Sequence, residues 1–309
     1  MPQSIVASAP GSVMVFGEHA VLRGGPAIVA AIECRLHVRL TPRPDEVIEI
    51  RSSFGTAFTT CSELTFGHAL RFVEGAFRLA RPEKGFSVEI TSSIDPTVGL
   101  GSSASVTVAL LGALRAHRFG SLDRQALLND ACSVIRSVQG HGSGADAASI
   151  VYGGVIAYRM GGASVSPLCN TLPLVLVYSG KKTPTPEAIR RVNEAESAFP
   201  SVYKELFSAI DCVTAMAIEK IDSHREVGLL MNQAHGLMEA LDVGTPELSE
   251  VCWALRAEPG IFGAKISGSG LGDAVVGLGS LSRPFSGGYM GTCLPSTVAQ
   301  QGVEVRWDR

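Results

Sequence analysis

The segment Pro96-Thr-Val-Gly-Leu-Gly-Ser-Ser-Ala-Ser constrains this chain more than any other. Gly99 and Gly101 bracket Leu100, and an apolar run follows Ala104. Glycine adopts the backbone conformations of a tight loop and lets the main chain come close to a ligand. The apolar run predicts a helix over 103–117. A helix directly behind such a loop aims its unpaired N–H groups, and the positive end of its dipole, into the loop. Ser102 and Ser103 add hydroxyls suited to a phosphate or a hard cation. There is no Gly-Lys-Ser/Thr, so this is not the Walker type of phosphate loop. Taken alone, the segment reads either as a phosphate cradle or as a Gly-Ser loop that caps a helix.

The remainder of the chain supplies enough core to support such a site. With 309 residues, 46% hydrophobic and 18% charged, it is long enough for two domains or two lobes, and it is neither disordered nor fibrous. A net charge of −3, with no basic run longer than a pair, argues against binding nucleic acid through its phosphates. Residues 96–114 and 160–180 are uncharged but rich in Gly, Ser, Thr or Pro, and read as soluble core and loops rather than membrane spans. The first residues lack a basic n-region and a long apolar stretch, so no secretory signal is expected. The 7 cysteines are odd in number and include no Cys-x-x-Cys, which fits reduced thiols in a cytoplasmic protein and no zinc site.

Periodicity predicts strands over 5–8, 13–16, 34–40 and 86–92, with further strand and turn over 47–60. Helices are expected over 67–79 and 123–138. A buried strand over 172–178 introduces a helix-rich part with helices over 203–220, 224–241 and 246–257. Strands over 274–278 and 303–307 flank a Gly/Ser-rich stretch. A lobe boundary near 165–185 fits this change of character.

Three more segments carry candidate chemistry. In Ala9-Pro-Gly-Ser-Val-Met-Val-Phe-Gly-Glu-His-Ala-Val, a strand ends at Gly17, and Glu18 and His19 are expected to stand exposed beyond it. In Gly140-His-Gly-Ser-Gly-Ala-Asp-Ala-Ala, Asp146 is the lone carboxylate of a small-residue loop, a pattern that more often marks a turn or cap than a catalyst. Lys265-Ile-Ser-Gly-Ser-Gly-Leu-Gly-Asp is a second glycine-rich loop, equally a tight turn. Asp95 and Asp273 read as turn residues, and His235, at helix spacing among Leu230, Met231, Leu237 and Met238, as a packed helix residue.

In this order and spacing, the four segments resemble the GHMP kinase superfamily, and within it the mevalonate kinases. Met231-Asn-Gln-Ala-His-Gly-Leu-Met and Val243-Gly-Thr-Pro-Glu-Leu add to the likeness, which covers roughly residues 5–280. The resemblance implies an α+β GHMP kinase fold. Residues 1–170 would form an N-terminal, ATP-binding lobe of the ribosomal protein S5 domain 2 type, and residues 171–309 a ferredoxin-like C-terminal lobe. It implies ATP-dependent transfer of the γ-phosphoryl group to a small-molecule hydroxyl, with mevalonate as acceptor, ATP and Mg²⁺ bound, and a homodimer as an option. Residues Gly99, Leu100, Gly101, Ser102, Ser103 and Ala104 would wrap the ATP phosphates, with Ser103 (or Ser102) on Mg²⁺. Gly268, Gly270 and Gly272 would steady that loop, and Asp146 would take or polarise the proton of the acceptor hydroxyl. Glu18, His19, Gly142, Ser143 and Thr185 would line the acceptor side.

Two positions depart from the family. Ser12 stands where the family has Lys, and Ile135 where it usually carries a Mg²⁺-ligating Glu, eleven residues before Asp146. Three readings follow: an active kinase in which Lys182, or less readily Lys265, supplies the cation; a kinase for another acceptor, such as a sugar or a phosphomevalonate-like molecule; or an inactive nucleotide-binding homologue.

Overall fold

The computed structural model describes residues 3–161, 165–283, 285 and 291–308. Met1 and Pro2 of the N-terminal segment, residues 162–164 of the second uncharged stretch, and residues 284 and 286–290 of the Gly/Ser-rich stretch lie outside the described residues.

The first sheet contains β1 (Ile5–Phe16), β2 (Pro26–Pro42), β3 (Val47–Ser52), β4 (Gly55–Thr60) and, after α1 (Arg71–Ala80), β5 (Phe86–Ser92). Three helices follow, α2 (Ser102–Phe119), α3 (Arg124–Gln139) and α4 (Ala145–Tyr152), and then β6 (Val155–Arg159) and β7 (Val165–Cys169). The second sheet has the order β11-β8-β10-β9, from β8 (Leu174–Tyr178), β9 (Ile261–Ser267), β10 (Ala274–Gly279) and β11 (Thr292–Leu294). Between β8 and β9 lie α5 (Thr185–Ala198), α6 (Pro200–Glu219), α7 (His224–Ala240) and α8 (Pro246–Arg256). A last strand, β12 (Glu304–Trp307), completes the element order.

The two strands expected over 5–8 and 13–16 are one. β1 runs through Pro10 and Gly11 on a register shift against β2, which lets a Pro-Gly pair sit inside a continuous ladder. Gly11 has no room for a side chain there, since a Cβ would lie 2.9 Å from Cys34 Sγ and 3.1 Å from the Leu100 carbonyl. The outer edge of β1 is covered by β12, with Ile5 opposite Trp307 and Ser8 opposite Glu304. The tail of the segment assigned to the second lobe therefore belongs to the first sheet, because it pairs an edge that would otherwise be open.

Alternation along β8 explains how the lobes join. Leu174 and Leu176 enter the core shared with the first sheet, whereas Val175 and Val177 face the helices of the second lobe. β10 does the same, with Val276 and Leu278 on one side and Val275 on the other. Helix α2 is apolar nearly all round and lies within the first core, the burial expected of a helix without a polar face. No helix among the described residues is long and apolar enough to cross a membrane.

His235 sits on α7, 2% exposed, with Nδ1 3.6 Å from the Cys252 thiol of α8. Burial, aided by Arg256, lowers its pKa from 6.5 to about 4. The unfolded chain therefore takes up this proton first as the pH falls, and the stability due to a neutral His235 is lost between about 6.5 and about 4. In melting curves across that range, His235→Leu is expected to lose less stability on acidification than the wild type. Parallel losses in the two proteins contradict this account.

Candidate active site

Two helices begin at glycines that share one geometry. Gly101 precedes α2 with φ 69° and Gly144 precedes α4 with φ 86°, a left-handed conformation that suits glycine. Neither N-cap glycine can cap its helix with a side chain, although Ser143 Oγ accepts from the Ala145 N–H of α4 at 3.2 Å. The first N–H groups of α2 are thus left for a ligand, and no acidic residue of its own first turn opposes one. Gly101 is held to its place by β1: a Cβ there would lie 2.1 Å from Ser12 Oγ. The Ser12 N–H donates to the Leu100 carbonyl (3.1 Å), and Ser105 Oγ donates to the Pro10 carbonyl (2.8 Å).

Asp146 lies in the first turn of α4, and Ser12 Oγ donates to its Oδ1 at 2.7 Å. The carboxyl opens to water in a cleft, yet protein surrounds it. That enclosure raises its pKa, and the Ser12 hydroxyl opposes the rise. No cation is among the groups that act on it. The loop ahead of it is anchored where Tyr158 OH donates to the Ser143 carbonyl at 2.6 Å.

A cavity of ≈ 890 Å³ gathers these parts. Its wall includes Gly99, Leu100, Gly101, Ser102, Ser103, Ala104, Gly142, Ser143, Asp146, Glu18, His19, Lys182, Thr185 and Gly268. Gly270 is not on the wall. It is buried behind it, where a Cβ would lie 2.5 Å from the Val243 carbonyl, so it serves a close backbone approach. Ile135 is on the wall, so the hydrocarbon at that position faces the ligand space.

The expectation that Glu18 and His19 stand exposed is wrong: they are 3% and 5% exposed. The reason is pairing. Glu18 receives an ion pair from Lys265 of β9, itself fully buried. The His19 Nε2–H donates to the Ser269 carbonyl at 2.9 Å, and burial lowers the pKa of the ring. His19 is therefore a neutral imidazole whose Nδ1, with no partner among the described residues, presents a lone pair. Lys265, held by Glu18, does not serve Asp146. Lys182 lies on the wall but donates to the Pro96 carbonyl, and its charge acts on Asp95 and Asp273.

Sequence reasoning passed over two participants. Ser12 is visible there only as a missing lysine, yet it is the direct partner of Asp146. Asp273, read as a turn residue, is 8% exposed on the cavity wall, with its carboxyl pushed up to about 6 by burial. Its flanking glycines were the available signal. No group of three or more His, Cys, Asp or Glu able to hold a metal ion occurs among the described residues.

The chain belongs to the GHMP kinase family. The family's N-terminal domain matches residues 66–154 and its C-terminal domain residues 217–284. Membership together with its mevalonate kinase relatives makes it an ATP-dependent kinase with an alcohol group as acceptor. Its similarity runs to particular members. It is 33% identical over 301 residues to the mevalonate kinase of Pyrococcus abyssi, covering 90% of this chain and 89% of that one. It is 33% identical over 285 residues to that of Archaeoglobus fulgidus, covering 91% and 94%. The crystal structure of the Methanococcus jannaschii mevalonate kinase superposes with a TM-score of 0.75 at 26% identity, covering 89% and 90%.

Replacing Ser12 by Ala removes the one hydroxyl that favours the charged form of Asp146, and so moves its pKa further up. As a candidate base, Asp146 must be deprotonated to act, so the acidic limb of the pH profile of turnover is expected to move to higher pH in Ser12→Ala. A profile that keeps its wild-type position contradicts the pairing.

Proposed function

We propose that this chain transfers the γ-phosphoryl group of ATP to a hydroxyl of mevalonate. The observation that carries the reading is the convergence of the uncapped N-terminus of α2 and the carboxyl of Asp146 on one cavity. The mevalonate kinases that it resembles along nearly its whole length support the choice of acceptor.

In this reading the backbone of residues 99–104 and the hydroxyls of Ser102 and Ser103 hold the phosphates, where fixed N–H dipoles stabilise the charge that develops on the moving group. Asp146 accepts the proton of the acceptor hydroxyl, while Ser12 keeps the carboxyl oriented. His19, through Nδ1, accepts a hydrogen bond from an acceptor hydroxyl. Gly142, Ser143 and Thr185 shape the same side of the cavity, and Glu18 acts indirectly by locking the end of β1 to β9. Lys182 places a positive charge beside the phosphate loop. Divalent metal chemistry fits the donors present, since the Ser103 hydroxyl shares the cavity wall with Asp273, whose Oδ1 has no partner among the described residues. Bound there with ATP, Mg²⁺ would offset charge on the phosphates.

Turnover measured with ATP and a panel of mevalonate, phosphomevalonate and sugars tests the assignment. Mevalonate is expected to give the highest kcat/KM. Nucleotide binding without turnover on any acceptor would establish an inactive homologue instead. Asp146→Asn is expected to lower kcat by about 10²–10⁴-fold with little change in nucleotide affinity. Lys182→Met should lower kcat by on the order of 10²-fold if its charge serves the transferred group, and unchanged turnover removes it from the machinery.

A further inference from the structure

Asp273 ends the glycine loop between β9 and β10. Its backbone is left-handed, with φ 64°, and is fixed on both sides. Its N–H donates to the Lys181 carbonyl at 2.7 Å, and its carbonyl accepts from the Ser179 N–H at 2.9 Å. The side chain lies against the phosphate loop: a Cβ at Gly99 would sit 3.0 Å from both Cβ and Cγ of Asp273. It is more than nine-tenths buried, it lines the cavity, and its Oδ1 has no hydrogen-bond partner among the described residues. Lys182 is close enough to act on it electrostatically but gives its hydrogen bond to the Pro96 carbonyl.

An unpartnered carboxylate in such a place is costly by itself and costlier beside a triphosphate, which it repels. A cation between the two anions reverses both penalties. Mg²⁺ takes one or two carboxylates together with phosphate oxygens and waters. At Ile135 this chain offers the cavity only hydrocarbon. We propose that Asp273 is the carboxylate ligand of the divalent cation that accompanies the nucleotide, acting with the Ser103 hydroxyl, so that the metal is held from the glycine-loop side rather than from α3. This rests on the kinase reading above, and it assigns to a second-lobe residue a role that the sequence leaves vacant in the first.

Calorimetric binding of ADP to the full chain, with excess Mg²⁺ and with EDTA, tests it. Asp273→Asn is the variant of choice, since asparagine also tolerates the left-handed backbone, and Asp273→Gly repeats the test on a residue with no strain there. In the wild type, Mg²⁺ should tighten ADP binding. In both variants that gain should shrink on the order of 10–100-fold, the scale of losses at metal-site carboxylates. ADP without metal should bind the variants as well as the wild type or better, because a repelling charge has gone. Mn²⁺ replacing Mg²⁺ should show the same loss as a weaker bound-ion signal in electron paramagnetic resonance of the ADP complex. A Mg²⁺-dependent gain retained in the variants overturns the assignment, as does an equal loss of affinity with and without metal, which would mark a merely structural residue. Wild-type protein that binds no ADP under either condition overturns the kinase reading itself, and this assignment with it.

Discussion

The site depends on how closely β1 approaches the start of α2. Ser12 is fully buried in that seam, touching the Gly99–Gly101 loop with its main chain and Asp146 with its hydroxyl. Only glycine at 101 leaves the space that the Ser12 hydroxyl occupies. The carboxyl and the uncapped start of α2 are thus set against each other through one side chain. Preorganisation of this kind lets fixed dipoles act without rearranging during reaction.

Behind that seam lies a second, more deeply buried interaction. The pair between Glu18 and Lys265 ties the end of β1 to β9, and Ser267 Oγ adds a hydrogen bond to the Met14 carbonyl at 2.7 Å. A buried ion pair is weak evidence of stability, because desolvation offsets much of the attraction. Its effect here is geometric: it fixes the glycine loop of the second lobe against the strand end of the first, and so sets the width of the cavity. Thr183 reinforces the same loop by donating to the Leu271 carbonyl at 2.7 Å.

Much of this was legible in the chain itself. Helices and strands followed from periodicity, because α3, α7 and α8 begin and end within a few residues of their apolar patterns. The tight loop at Gly99–Gly101 was legible because paired glycines directly ahead of an apolar run mark a sharp turn into a helix. Pairings distant in sequence were not. Nothing local in Glu18-His19 reveals that Lys265 will neutralise one and Ser269 will orient the other, so both appeared to be surface residues. Asp273 resembled a turn residue for the same reason, since its burial is created by Gly99, far away in the chain. β12 likewise looked like part of the second lobe, because adjacency in sequence says nothing about which sheet has an edge left to fill.

That last strand has a consequence for how the protein comes into being. β1 leaves the ribosome long before β12, which covers its outer edge. Until residues 304–307 emerge, the first sheet must persist with one flank unsatisfied, a state prone to mispairing. The first lobe is therefore not a unit that can mature while the second lobe is still being translated. Its completion waits for synthesis to pass through the whole of the second lobe.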